Sequence, residues 1–184
     1  PTNPLTARVI VNRIWQSYFG VGLVATSSEF GKMGPPPSHP QLLDWLANYL
    51  QQSPNPWQLK KIHRMILTSA TYRQSAFHPR AQQQQGVDPK NQFRWRTEIR
   101  RLDAEQIRDA LLVASGELDA KVGGISVKDD RPRRSIYLRR IRNKPSEMLK
   151  AFDAPSGYVS TSNRDRTTTP LQILLLLNSP ESLA

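Results

Sequence analysis

The 184-residue chain is long enough for one domain with a buried core, and its 26 Lys+Arg against 15 Asp+Glu leave a net charge of +11. With no cysteine it has no disulfide, no thiol nucleophile and no cysteine-ligated metal, which is neutral about compartment. No apolar run approaches the roughly 20 residues of a membrane span, and 15 prolines with 38% hydrophobic residues predict a loop-rich globular chain.

In chain order, the first predicted helix has Asn3 as its cap, Pro4 at its first position and Gly20 near its end. At about 100° per residue, Ala7, Val11, Ile14 and Tyr18 share one arc, with Ile10 and Trp15 at its edges. Arg8 and Asn12 fall on one flank, Arg13 lies near Thr6 and Ser17, and Leu5, Val9 and Phe19 fall between the flanks. Such a helix packs on two sides. The Gly/Pro-rich "GVGLVATSSEFGKMGPPPSHP" that follows is expected to wrap the surface as an extended loop.

Ser38 is then expected to cap a helix beginning near Pro40, with Leu42, Leu43, Trp45, Leu46, Tyr49 and Leu50 as its apolar side. Asn55 and Pro56 repeat the cap-then-proline device before a helix that turns Trp57, Leu59, Ile62, Ile66 and Leu67 inward. The glutamine-rich "FHPRAQQQQGVDPKNQ" reads as a polar, mobile connection. Asp103 with Gln106 has the spacing of a capping box, opening a helix through Ile107, Leu111 and Leu112 to Gly116. After the turn-rich "GGISVKDDRPRR", the stretch "RSIYLRRIR" alternates as a strand does. A short helix over "PSEMLKAF" and a last one from Pro170 to Asn178 follow. The fold class is mainly α: a compact multi-helix domain with long Pro/Gly-rich loops and a minor β element.

No chemical motif names a reaction. His39, His63 and His78 lack HExxH or carboxylates at ligand spacing, so no metal site is expected. No GxSxG elbow or phosphate-binding glycine loop is present. Glu105 and Asp109, with Arg101 and Arg108 close by, have the spacing of helix ion pairs rather than of a hydrolytic pair. The basic surplus is assigned to a surface of Arg94, Arg96, Arg100 and Arg101, then Arg131, Arg133 and Arg134, then Arg139, Arg140 and Arg142. Its mixture with Phe93 and Trp95 superficially suits nucleic acid, but no recognition element accompanies it, and that partner is disfavoured. A polar cluster of Arg8, Asn12, Arg13, His63, Arg64, Arg73, Asp153 and Arg164 is read as architectural. Asn12 is expected to reach loop backbone, and Arg8 a buried acceptor; losing either contact should cost on the order of 1–3 kcal/mol.

The ordered segments "NPLTARVIVNRIWQSYFGVGLVATSSEFGKMGPPPSHPQLLDWLA", "LKKIHRMILTSATYRQS", "RRLDAEQIRDALL", "RSIYLRR", "AFDAP" and "RTTTPLQILLLLN" resemble planctomycete-specific domain one, domain of unknown function 1553. The resemblance covers residues 3–178 as a single domain. It implies a piece of a longer secreted, periplasmic or cell-envelope protein, where this domain stands C-terminal to another domain of unknown function. Many members also carry a cytochrome-c-like haem module, sometimes with a concanavalin-like sugar-binding domain between. Haem attachment needs CxxCH, so any haem belongs to a neighbour and this chain has no cofactor of its own. The resemblance supplies no catalytic residues. The resulting expectation is a non-catalytic module that packs against neighbouring domains of its own polypeptide, its basic surface facing acidic domains or an anionic polymer. Two other readings stand beside it. In one, an enzyme acts on acidic or sulfated polysaccharide, with Arg8, Arg13, Arg64, Arg73 and Arg164 binding anions and His63 or Asp153 moving protons. In the other, the basic clusters bind nucleic acid, with affinity that falls steeply with salt.

Overall fold

A computed structural model describes residues 3–31, 33–52, 54–142, 144 and 146–178. Among them the chain forms seven α-helices, one short 3-10 turn and three isolated β-bridges, with no sheet. It is mainly helical, and it divides into two units, Pro1–Arg100 and Arg101–Ala184.

The first unit holds α1 (Pro4–Phe19), α2 (Pro40–Gln52), α3 (Leu59–Thr68) and α4 (Ala81–Val87). At the head of α1 the Asn3 side chain accepts from Leu5 N–H at 2.9 Å, and Pro4 needs no donor there. Gly20, at φ +82°, ends the helix by donating its N–H to Gln16 O at 2.8 Å. Eleven buried apolar residues form the core. They are Val11, Ile14, Trp15 and Phe19 of α1, Leu43, Leu46 and Leu50 of α2, Ile62 and Ile66 of α3, and Leu23 and Val24 of the loop. The Gly/Pro-rich loop therefore does more than wrap the surface. It inserts two side chains into the core, and Ser38 returns to it, giving both its N–H (2.8 Å) and its hydroxyl (3.2 Å) to Leu23 O.

Four sequence expectations change in this unit. Asn55 and Pro56 lie a turn ahead of α3, which starts at Leu59, because Trp57 takes a left-handed backbone (φ 64°) that no helix can continue. Trp57, Leu59 and Leu67 are more than 40% exposed, because α3 buries only the narrow i, i+4 stripe of Ile62 and Ile66. Trp45 is also exposed, with its ring stacked on Tyr49 at 5.7 Å. The glutamine-rich connection contains α4 and then a hydrogen-bonded turn in which Asp88 and Asn91 are buried.

The second unit holds α5 (Ala104–Ala114), the 3-10 turn Ser135–Tyr137, α6 (Glu147–Ala151) and α7 (Pro170–Asn178). The capping box opens α5, with Asp103 N–H on Gln106 Oε1 at 3.0 Å. Its apolar core is small: Ala104, Leu149 and Phe152 are buried, with Ile107, Leu138 and Met148 against them. The expected strand is instead the 3-10 turn flanked by single bridges, Val127 to Leu138 and Ile141 to Lys144. A strand needs a ladder partner, and here side chains of α5 take that place. Ser135 N–H donates to Asp109 Oδ1 at 2.7 Å, and Ile136 faces solvent.

Candidate functional site

The end of α1 leaves carbonyls that the helix itself cannot satisfy. Arginines from the segment before Arg101 take them. Arg100 donates to Tyr18 O at 2.6 Å and Ser17 O at 3.4 Å. Arg94 donates to Phe19 O and Val21 O, each at 3.3 Å, with its guanidinium 5.3 Å above the Phe19 ring. Cations at a helix C-terminus also meet the negative end of its dipole. Burial pulls the Arg94 guanidinium below its ordinary pKa. Gly20 suits this end through its left-handed φ of +82°, and a Cβ there would sit 3.0 Å from Arg100 Cδ, so the arginine would have to shift.

The loop carrying Arg94 is held from within. Asp88 accepts from Gln92 N–H at 2.9 Å and Phe93 N–H at 2.8 Å, and its carbonyl accepts from Trp95 Nε1 at 3.1 Å. The Asn91 amide donates to Arg96 O at 2.8 Å and accepts from Arg96 N–H at 3.4 Å. Asn91 and Arg94 both adopt left-handed backbone, at φ 49° and 55°. The loop borders a cleft of about 230 Å³ whose lining includes Tyr18, Tyr72, Arg94, Arg96, Glu98 and Arg100. The Tyr18 hydroxyl lies 2.8 Å from His63 Nδ1, and its ring meets Tyr72 edge-on at 5.5 Å. Burial, with Tyr72 beside it, pushes the Tyr18 phenol above its ordinary value, so it is neutral at physiological pH.

In the second unit charge is spent on architecture. Arg108, 5% exposed, donates to the carbonyls of Arg133 (2.8 Å), Asp129 (3.0 Å) and Arg131 (2.7 Å). Arg133, also buried, donates to Gly123 O at 2.7 Å and Lys121 O at 2.9 Å, with its guanidinium 4.3 Å above the Tyr137 ring. Arg101 reaches Asp153 Oδ2 at 2.7 Å, Gln172 Oε1 at 2.9 Å, Phe152 O at 3.2 Å and Thr167 O. Asp153 also accepts from Thr167 N–H at 2.8 Å and from the Thr167 hydroxyl at 2.9 Å. The Thr167 N–H first, and Arg101 with it, holds the Asp153 carboxyl below the usual carboxylate range. Arg164 grips Glu105 with both terminal nitrogens, at 2.5 and 3.2 Å, and Arg166 reaches Asp103 at 3.1 Å.

The eight residues of the sequence-derived polar cluster thus have separate fates. Asn12 is 1% exposed and clasps the loop: Val24 N–H donates to its Oδ1 at 2.8 Å, and its Nδ2 donates to Val24 O at 3.1 Å. Arg8 pairs with Asp44 at 2.6 Å, but both side chains are about 40% exposed, so this is a surface contact worth under about 1 kcal/mol rather than a buried one. Arg13, Arg64 and Arg73 are exposed, and His63 serves Tyr18. Asp153 and Arg164 belong to the second unit and bind different partners there.

The expected basic surface is also corrected. Arg133 is interior, and Arg94, Arg100 and Arg101 are partly buried with their donors turned to backbone carbonyls, because helix ends and coil segments have carbonyls with no regular-structure partner. Arg96 is partly buried above Trp95, while Arg131, Arg134, Arg139, Arg140 and Arg142 are exposed, Arg140 donating to Pro155 O. Sequence reasoning placed Arg108 beside helix ion pairs and not in the interior, although Ala104, Arg108 and Leu112 recur every four residues on one buried stripe. It missed the Asp88 turn, which "DPKN" signals. Among the described residues no group of His, Asp or Glu is arranged to hold a metal, and no helix is long and apolar enough to cross a membrane.

The fold and its fastenings define a class: a mainly helical protein whose loops are tied by asparagine and arginine side chains to backbone carbonyls. The chain belongs to the PSD1 family, described as "Protein of unknown function (DUF1553)", whose model matches residues 1–184. No curated protein and no solved structure matches it.

Proposed function

We propose that the chain is a non-catalytic structural and interaction module of a larger secreted or cell-envelope polypeptide of planctomycete type. It packs against neighbouring domains, including a cytochrome-c-like one where the polypeptide carries it. The observation that carries this reading is α7, which is built inside out. Its buried residue is the polar Gln172, tethered by Nε2 to Ala151 O at 2.9 Å and by Oε1 to Arg101. Apart from the half-buried Leu175 its apolar residues face outward: Leu171 is 59% exposed, Ile173 55%, Leu174 54% and Leu177 62%. A helix that docks by its amide and presents isoleucine and leucines to water offers a contiguous apolar face of the kind that marks a protein contact. The exposed Arg131, Arg134, Arg139 and Arg142 would favour an acidic neighbour or an anionic polymer.

The reading as an enzyme acting on acidic or sulfated polysaccharide has less support. Asp153 is held as an anion by Thr167 and Arg101, the reverse of a proton donor's requirement, and Arg164 is occupied by Glu105. The test places a photo-crosslinking amino acid at Leu174 in the full-length polypeptide. The expected product joins it to residues outside the 184-residue segment. Crosslinks confined to the segment, or turnover of a sulfated polysaccharide by the chain, would overturn the proposal.

A further inference from the structure

The cleft beside the end of α1 has three features that the packing role does not use. The first is net positive charge: Arg94, Arg96 and Arg100 line it against a single carboxylate, Glu98. Arg94 and Arg100 are shared with α1 carbonyls, whereas among the described residues Arg96 makes no ion pair and its guanidinium rests 5.1 Å over the Trp95 ring. The second is aromatic wall. Tyr72 meets Tyr18 edge-on at 5.5 Å and Phe19 at 6.1 Å, giving ring faces and the Tyr72 hydroxyl together. The third is preorganisation. The loop that presents Arg94 and Arg96 is locked by Asp88 and Asn91 and carries left-handed backbone at Arg94 (φ 55°), a conformation that costs about 1 kcal/mol or more and collects at binding sites.

Size and charge pattern narrow the occupant. At about 230 Å³ the cleft is smaller than the roughly 300–1,000 Å³ of ordinary small-molecule pockets, which suits one ring rather than a chain of them. Guanidinium groups match a sulfate or carboxylate through paired N–H donors. Glu98 would repel a bare inorganic anion but can accept from ring hydroxyls, and tyrosine faces suit the C–H side of a sugar. We propose that this cleft binds a single sugar residue carrying a sulfate or carboxylate, Arg96 taking the anionic group and Glu98 the hydroxyls. The site lies on the first unit, apart in sequence from α7, and stands or falls independently of the packing role.

The test is titration of the intact chain, followed by backbone amide shifts in two-dimensional NMR. The ligands are glucose 6-sulfate, glucuronate, glucose and inorganic sulfate. The expected result is saturable binding of glucose 6-sulfate or glucuronate, with shifts centred on Tyr72, Arg96 and Glu98, at least about tenfold tighter than glucose or sulfate alone. Arg96→Ala should weaken that binding about tenfold or more while leaving the melting temperature near that of the parent chain, because among the described residues the Arg96 side chain holds no backbone carbonyl. Glu98→Gln should narrow the preference for the acidic sugar over inorganic sulfate. Binding of sulfate as tight as that of the sugar, no saturable binding of either acidic sugar, or full binding by a folded Arg96→Ala chain would each overturn the proposal.

Discussion

Both units fasten backbone with polar side chains, but against cores of very different size. In the first unit eleven apolar side chains make the core, and one buried amide, Asn12, fastens a loop to it. In the second, a cluster of three buried apolar residues, with Leu112 of α5 also buried, leaves little hydrophobic driving force, and Arg101, Arg108 and Arg133 hold the coil by its carbonyls. The difference shows that a strongly basic composition does not by itself mean a basic surface. A guanidinium offers five donors in a rigid fork, so one arginine can satisfy several carbonyls of an irregular segment that has no ladder. Much of the surplus that suggests a polyanion partner is thereby turned inward.

The largest expected effect is on Arg108. Arg108→Ala strands the buried carbonyl of Arg133, at about 1–3 kcal/mol, and removes part-buried bonds to Asp129 O and Arg131 O at about 0.5–1.5 kcal/mol each, so the total is roughly 2–4 kcal/mol. All four tryptophans precede Arg101, so their fluorescence reports the first unit alone, whereas far-UV circular dichroism reports both. Urea unfolding should show the loss in circular dichroism and not in fluorescence. An equal shift in the tryptophan signal would break the comparison between the units.

Asn12→Ala comes next, with about 1–3 kcal/mol lost from the fluorescence transition. Gly22→Ala should reproduce it, since a Cβ there would lie 2.6 Å from Val24 O and 2.7 Å from the Asn12 amide. The double variant should lose little more than either single one, because both break the same clasp. Additive losses would mean that Asn12 and Gly22 act separately.

The smallest effect is a pH dependence. Asp153 has a folded-state pKa below its unfolded value, so its contribution is complete above the ordinary carboxylate pKa near 4 and is lost as pH falls through the folded value. Asp153→Asn should therefore lower stability at neutral pH and flatten the acid limb of the circular dichroism transition below about pH 4. An unchanged acid limb would remove Asp153 from the network's energetics.

Local signals in the sequence were good guides where the interaction is itself local. Asn3 and Pro4 at the head of α1, Gly20 at its end, and Asp103 with Gln106 at the head of α5 each act within about four residues, and each sits where its spacing places it. The stripes of Leu43, Leu46 and Leu50 and of Ile62 and Ile66 are equally plain. The strand reading of residues 134–142 failed because alternation describes which way side chains point, not whether a ladder partner exists. The polar cluster was legible as residue types but not as an arrangement. Asn12 and Arg8 lie one turn apart on one helix, yet one is 1% exposed and the other pairs with Asp44 at the surface.

By itself, then, the sequence determined most of the helices, the caps of α1 and α5, the mainly α class, the absence of thiol chemistry and the family to which the chain belongs. Only the tertiary structure decided which arginines became fasteners, where the aromatic and basic cleft forms, and that α7 turns its leucines outward. The physical reason is range. A cap is settled by neighbours a turn away, whereas Arg94 finds its acceptor on Phe19 and Arg100 on Tyr18, 75 and 82 residues back along the chain.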